Sequence, residues 1–385
     1  MSVPKSMEKP FWLKLLSNGF LSLWCLLAAF PIAWIAIMSF KTPFDAFSPN
    51  PFNVIFGPAT RSLGHGLTTL EIAAGLALAY FLVVLALRWL PRQVAHYTPA
   101  GYGAFGWLVA ALLFGFVAII LFLVVIPAVT GPLNPLLGPL GRDILGLTTE
   151  HYEAVWIDRN FVRNFGNSML VTGGVVAISL TVGTLAGYGL ARSGTDLAFW
   201  LLIVALIFRA LPHSVLVAGY LPVFIKSAEI LRPILGEFAP TLYGKPWAVI
   251  IVLVSINQPF TIWMLSSFFQ NIPSELDEAA RVDGCSHFEA FRRVIMPVMW
   301  PGVITAGLFS FLLAYNDFLV TSLLLDARNM TMVPAIAGMF NRETTASDEV
   351  QAIAAAVSIT APLFVLVLVF QKQIVSGLTA GAVKG

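Results

Sequence analysis

The stretch NIPSELDEAARVDGCSHFEAFRRVIMPVMWPG, Asn271 to Gly302, is charged and lies where one long apolar run gives way to the next. Ser274 followed by Asp277 fits a capping-box start directly after Pro273, and Ser286 followed by Glu289 fits a second. Gly284 stands between them, where the absence of a Cβ makes a left-handed or tight joint cheap. Pro297 is expected to end the second helix and Pro301 to open the following apolar one. The segment thus reads as helix, turn, helix lying across a membrane surface. An amphipathic interfacial connector would account for the helices. It would not account for acidic and basic faces paired at Glu278, Arg281, Asp283, Arg292 and Arg293.

Outward from this segment the chain is mostly lipid-soluble. Of its 385 residues 58% are hydrophobic and 11% charged, with a mean hydropathy of +0.85; a soluble domain carries about a quarter charged residues. This composition is that of an integral membrane protein. Eight stretches reach the roughly 20 apolar residues that a span needs: 19–40, 68–90, 104–129, 167–190, 197–224, 246–270, 301–325 and 350–371. They far exceed the roughly 10 alternating residues of a barrel strand. The expected fold class is therefore all-α, a polytopic helical membrane protein of about eight transmembrane helices. No internal repeat or low-complexity linker is visible.

The net charge of +2 leaves no footprint for nucleic acid. Cys25, in an apolar run, and Cys285, in the charged segment, are too few for a disulfide framework; they read as a buried small hydrophobe and an inert thiol. Lys5, Lys9 and Lys14 precede an apolar run from Phe20 to Phe40. That run is longer than the roughly 7–15 residues of a signal-peptide core, so it reads as a retained first helix. An even span count puts both termini on one side. With the termini in the cytoplasm, 11 Lys and Arg fall inside and 10 outside, with Arg209 in a span, so charge bias barely discriminates. Orientation then rests on the charged segment.

Polar groups at membrane depth are costly and are candidates for a translocation path. They are Arg209 and His213 in FRALPHS, Asn257 and Gln258 before Pro259, and Asn316 and Asp317 in AYNDFL. The plainer reading of each is an interhelical hydrogen bond or snorkelling to an interface. Pro212 and Pro259 free backbone carbonyls nearby, which suits a cavity lining. In GTLAGYGLAR, Gly183 and Gly187 have the small-xxx-small spacing of close helix packing.

The residues of the charged segment carry a specific resemblance. Glu278, Ala279, Ala280 and Gly284, followed by Val294, Ile295, Met296 and Pro297, match the pattern EAA, three residues, Gly, nine residues, I-x-L-P. Val for Ile and Met for Leu keep the apolar character. This resembles the membrane subunit of binding-protein-dependent ABC importers. NSMLVTGG, RALP, the run Asn257 to Phe269, YNDFL and the terminal GLTAGAVKG are similar to carbohydrate permeases of the maltose and α-glucoside type. The similarity covers most of 1–60 and 150–385. It does not cover 61–150, where a six-helix core would be interrupted by an inserted hairpin of two spans with few polar residues at membrane depth.

The resemblance implies three regions: 1–60 with the first helix, 61–150 as inserted hairpin and periplasmic segment, and 151–385 as importer core. It implies that 271–300 is a coupling loop, with Glu278, Ala279, Ala280, Asp283, Gly284 and Pro297 set against a cytoplasmic ATPase dimer. The tail 373–385, through Gly377, Leu378 and Thr379, would also reach the ATPases. A second homologous permease, a periplasmic sugar-binding protein and the lipid bilayer are the other implied partners, with a multi-pass location in a bacterial inner membrane. The substrate would be a sugar or derivative such as an α-glucoside, another oligosaccharide or a polyol. A permease for a non-sugar solute and a structural membrane protein remain alternatives.

No GxxxxGK[ST] is present, so this chain cannot hold ATP in a P-loop; ATP and Mg²⁺ would sit on the partner, and no cofactor is expected here. His65, His96, His151, His213 and His287 lack HExxH spacing and GxSxG is absent. No catalytic or metal site is therefore expected, which argues against an intramembrane hydrolase.

Overall fold

The computed structural model describes residues 11–64, 66–88, 117, 120–193, 196–209, 213–340 and 345–380. In chain order the elements used below are α1 (Phe11–Met38), α2 (Pro43–Ala46), α3 (Pro51–Phe56), α4 (Pro58–Ser62), β1 (Gly66–Thr68), α5 (Thr69–Arg88), α6 (Ile126–Thr130), β2 (Asp143–Gly146) and α7 (Glu150–Glu153). There follow α8 (Phe161–Arg192), α9 (Asp196–Arg209), α10 (His213–Ile225), α11 (Ser227–Leu235), α12 (Pro246–Gln270), α13 (Glu275–Val282), α14 (His287–Ala290), α15 (Met296–Tyr315), α16 (Leu319–Leu324), α17 (Met332–Gly338) and α18 (Ala346–Ala380). The expected all-α membrane fold is present. Among the described residues five helices are long and apolar enough to cross a membrane: Leu15–Met38, Phe161–Arg192, Pro246–Gln270, His287–Tyr315 and Ala346–Val367.

Two expectations change, and two others fall partly outside the described residues. The second expected span is α5, but of 104–129 only 117 and 120–129 are described. Of the run 197–224, residues 197–209 lie on α9 and 213–224 on α10, and 210–212 fall outside the described set. The run 301–325 is broken: α15 ends at Tyr315, and the Asp317 carboxylate receives the Thr321 N–H at 2.9 Å at the start of α16. A side chain that caps a new helix competes with continuation of the old one. Cys25 is exposed on α1, not buried within this chain.

The chain divides into two compact units: residues 1–80, 120–158 and 339–360, and residues 81–119, 159–338 and 361–385. The first unit holds the only described sheet, antiparallel β1 and β2 with Gly66 opposite Gly146. Sequence patterning did not anticipate it, because strands of 3 and 4 residues are too short to show alternation.

Beside the sheet lies a buried ionic clasp. Lys41, fully buried, donates through Nζ to the carbonyls of Ile55, at 2.8 Å, and Gly146. Asp45, equally buried, accepts from Ala59 N–H at 3.2 Å and Thr60 N–H at 2.6 Å, and so caps α4 from outside its own segment. It has that task because the N-cap residue is Gly57, which lacks a side chain. Gly57 and Gly146 approach so closely that a Cβ at 146 would lie 2.2 Å from the Gly57 carbonyl oxygen. His151 Nε2 lies 2.9 Å from the Lys41 carbonyl, which fixes that nitrogen as the N–H donor. Burial holds the His151 imidazole below its usual range, hence neutral.

In the second unit α8, α12 and α15 pack along their lengths. Gly183 and Gly187 serve the expected close approach: a Cβ at 183 would meet Thr261 Cγ2 at 2.7 Å, and one at 187 the Ser266 nitrogen at 3.0 Å. One apolar cluster joins Val171 and Val175 to Val252 and Ile256. A second joins Leu265, Phe269 and Ile272 to Phe291, Ile295 and Met299, and it supports the charged segment.

Candidate functional site

The helix, turn, helix expected within 271–300 is present. Glu275–Val282 form α13, with Glu275, Asp277 and Glu278 in the first turn and Arg281 in the last, signs that suit the helix dipole. The helix stops in a Schellman arrangement: Gly284 N–H bonds the Arg281 carbonyl and Cys285 N–H the Ala280 carbonyl, each at 3.0 Å. Gly284 has φ +89°, the left-handed region, although nothing lies within 4 Å of where a Cβ would sit. Backbone conformation, not space, selects glycine here. Ser286 then opens α14 with a complete capping box, Glu289 N–H to Ser286 Oγ at 3.3 Å and Ser286 N–H to Glu289 Oε2 at 3.1 Å.

The other expected capping box does not form. Ser274 is helical, with φ −66° and ψ −22°, and its side chain accepts no cap hydrogen bond. Asp277 is taken by stronger donors instead. Tyr188 Oη donates to Asp277 Oδ1 at 2.6 Å, and Arg192 donates to Oδ2 through Nε at 2.9 Å, with Nη2 also at 2.9 Å. Charge-assisted bonds of this kind each contribute about 1.5–3 kcal/mol, more than a neutral cap. Arg192 Nη2 also donates to the Ile272 carbonyl at 3.0 Å, and Nη1 to that of Phe269 at 3.4 Å, closing the C-terminal end of α12. The Tyr188 ring centroid lies 4.8 Å from that of Phe291 and 5.5 Å from that of Phe269. A cleft of about 250 Å³ opens here between Tyr188, Arg192, Asp277, Glu278, Arg281 and His287.

Pro297 does not end the second helix. Residues Phe291–Ile295 form a π turn, and helix runs on from α14 into α15. Met296 N–H reaches back to the Phe291 carbonyl, widening the backbone just where the Pro297 ring would strike the carbonyl of residue 293. The same device recurs at Leu121–Val125, two residues before Pro127.

Glu278, Ala279, Asp283, Gly284 and Pro297 are exposed, and Ala280 packs inward. The exposed tip is not only charged: Val282 is 88% and Phe288 64% exposed, on either side of Gly284. Sequence reading missed these two, and also Tyr188 and Arg192. Its attention in GTLAGYGLAR went to the glycines, whereas an arginine closing a span was the available signal.

Where their side chains are described, the path candidates bond to separate partners. Asn257, buried in α12, donates to Ser310 Oγ of α15 at 2.7 Å, and Gln258 turns toward α8, 3.4 Å from the Ser179 carbonyl. Asn316 is exposed at the end of α15, and Asp317 caps α16. Arg209 ends α9 and His213 begins α10, with side chains outside the described set. Gly377, Leu378 and Thr379 lie on the last turns of α18; their side chains and residues 381–385 are likewise outside it.

Residues 179–379, which include Arg192, the elbow and the helices flanking it, match the family described as binding-protein-dependent transport system inner membrane component. The chain belongs to this family. The permease is 32% identical over 241 residues to a trehalose transport system permease protein of Mycobacterium tuberculosis, a match covering 62% of this chain and 83% of the relative. It is 31% identical over 241 residues to a diacetylchitobiose uptake system permease protein of Streptomyces coelicolor, covering 62% and 82%. A solved bacterial ABC transporter involved in alginate import aligns with TM-score 0.47 and 17% identity over 68% of this chain and 97% of the other. The permease is thus a multi-pass membrane subunit of a transport system.

Proposed function

We propose that this permease carries a sugar or sugar derivative delivered by a periplasmic binding protein, and that residues 271–300 dock on a cytoplasmic ATPase dimer. The carrying observation is the elbow. An exposed acidic helix of eight residues, stopped by a left-handed glycine and restarted by a capping box, is continuous with a membrane-length helix. A push on Glu278, Ala279, Asp283, Val282 or Phe288 would pass through a short joint into α15. The sugar class rests on the curated relatives, named for trehalose and diacetylchitobiose. In this reading ATP and Mg²⁺ bind the ATPase, and this chain is non-catalytic. A second homologous permease completes the path, and Gly377, Leu378 and Thr379 add an ATPase contact. Both termini and the elbow face the cytoplasm, and 61–150 is an insertion ahead of the core at 151–385. Arg209, His213, Asn257, Gln258, Asn316 and Asp317 are retained as path candidates.

Gly284→Asp and Glu278→Lys should each abolish uptake of the solute held by the cognate binding protein, with the permease still inserted. A Cβ at φ +89° strains the joint by about 1 kcal/mol or more, and the lysine reverses the charge offered to the ATPase. Normal uptake with normal ATPase co-purification in both variants would reduce the elbow to a surface connector. Orientation is checked by single cysteines at Ser286 and Ser347, with Cys25 and Cys285 replaced. Labelling of position 286 from the periplasmic side would reject it. A ligand screen on the cognate binding protein tests the sugar class, which fails if only amino acids or ions bind.

A further inference from the structure

We propose that Arg192 is a positioning residue that binds the elbow to α8 and to the end of α12, so that these three elements move as one body while α15 is driven through the chain itself. The inference rests on the docking reading above and specifies how motion leaves the elbow. Three attachments hold α13. Two are covalent, back through residues 271–274 to α12 and on through the Gly284 joint and α14 into α15. The third is lateral and comes from residues remote in sequence: the Arg192 guanidinium holds the Asp277 carboxylate, the Phe269 carbonyl of α12 and the Ile272 carbonyl just beyond it, and Tyr188 holds the second Asp277 oxygen. One turn and two turns further along α8, Gly187 and Gly183 seat directly on Ser266, Leu265 and Thr261 of α12. With no side chain between them, α8 and α12 have little room to slide. The three π-faced rings of Tyr188, Phe269 and Phe291 fill the same junction. The joint to α15 is of a different kind: it contains the positive-φ glycine, the extended Ser286 and the π turn, where backbone geometry departs from a continuous α-helix. Arg192 thus fixes one side of the elbow, and the bend is left to the other.

The test measures ATP hydrolysed per solute moved in the reconstituted transporter, together with the amount of ATPase that co-purifies. Arg192→Gln should keep the ATPase bound and raise the ATP-per-solute ratio by about tenfold or more, because the elbow then moves without carrying α8 and α12. Tyr188→Phe, which removes the 2.6 Å bond and keeps the ring, should raise it less, by about 2- to 10-fold. A residue that merely stabilised the fold would lower both activities together and leave the ratio unchanged, and that result overturns the proposal. Arg192→Cys with Asp277→Cys, in a chain lacking Cys25 and Cys285, supplies the converse. Joined by a short bifunctional thiol reagent, the pair should regain the normal ratio. Arrest of transport by the cross-link would mean that α8 and α13 separate during the cycle, which also overturns it. Glu278→Lys separates the two readings: loss of ATPase binding in that variant supports docking whatever Arg192 does. Intact binding and uptake would remove docking and the lateral strut with it.

Discussion

The elbow and the clasp around Lys41 both bury charge, but they satisfy it differently. At the clasp the partners are backbone: Lys41 meets two carbonyls, and Asp45 meets two N–H groups and the Thr60 hydroxyl. At the elbow the partners are side chains on another helix: Asp277 is held by Tyr188 and Arg192. Backbone partners cannot leave without unfolding a loop, so the clasp is a static lock. Side-chain partners tie two rigid helices together and can transmit a push. The comparison sets a static lock in the first region against the coupling role proposed for the second.

The largest expected effect tests the static half. Lys41→Met keeps length and apolar stem but leaves the Ile55 and Gly146 carbonyls without their donor and the Asp45 carboxylate without its nearby positive charge. The expected loss is on the order of 3 kcal/mol, read as a lowered thermal midpoint in detergent, with uptake per folded molecule retained. An unchanged midpoint would erase the distinction between the two regions.

A smaller effect is expected at the elbow from Ser286→Ala, which removes the capping box at a cost of about 1 kcal/mol. Amide exchange over residues 286–290 should quicken about 5-fold while the thermal midpoint stays put. A global loss of stability would show that the elbow is a lock as well.

A further effect of the clasp is in pH. Desolvation pushes Lys41 down to about 8, against an opposing pull from Asp45. The unfolded chain therefore binds the proton more tightly than the folded one, and stability should rise as pH climbs from about 8 toward the ordinary lysine value of 10.5. Below about 8 the group is charged in both states and its contribution is flat. Lys41→Met should abolish the rise; an identical rise in that variant would assign it to another group.

Legibility in the sequence followed the range of the interaction. The two halves of the elbow, the glycine joint and the second capping box were readable because each depends on residues 3–5 positions apart. The first capping box was misread because Ser274 and Asp277 have the right spacing, yet Asp277 finds donors on residues 85 and 89 positions away. The end of the seventh span was misplaced for a related reason. Hydropathy runs on through Phe318 and Leu319, whereas the Asp317 carboxylate starts a new helix there. Asn257, flagged as polar at membrane depth, proved to meet Ser310 across α12 and α15, a pairing that spacing alone does not reveal.

By itself the sequence determined that this is a helical membrane protein with a charged, doubly helical elbow, because apolar length and local capping need no knowledge of the rest of the chain. Only the tertiary structure decided what holds the elbow. A carboxylate with several possible donors goes to the strongest one within reach, and for Asp277 the packing of α8 against α12 brings Arg192 within reach.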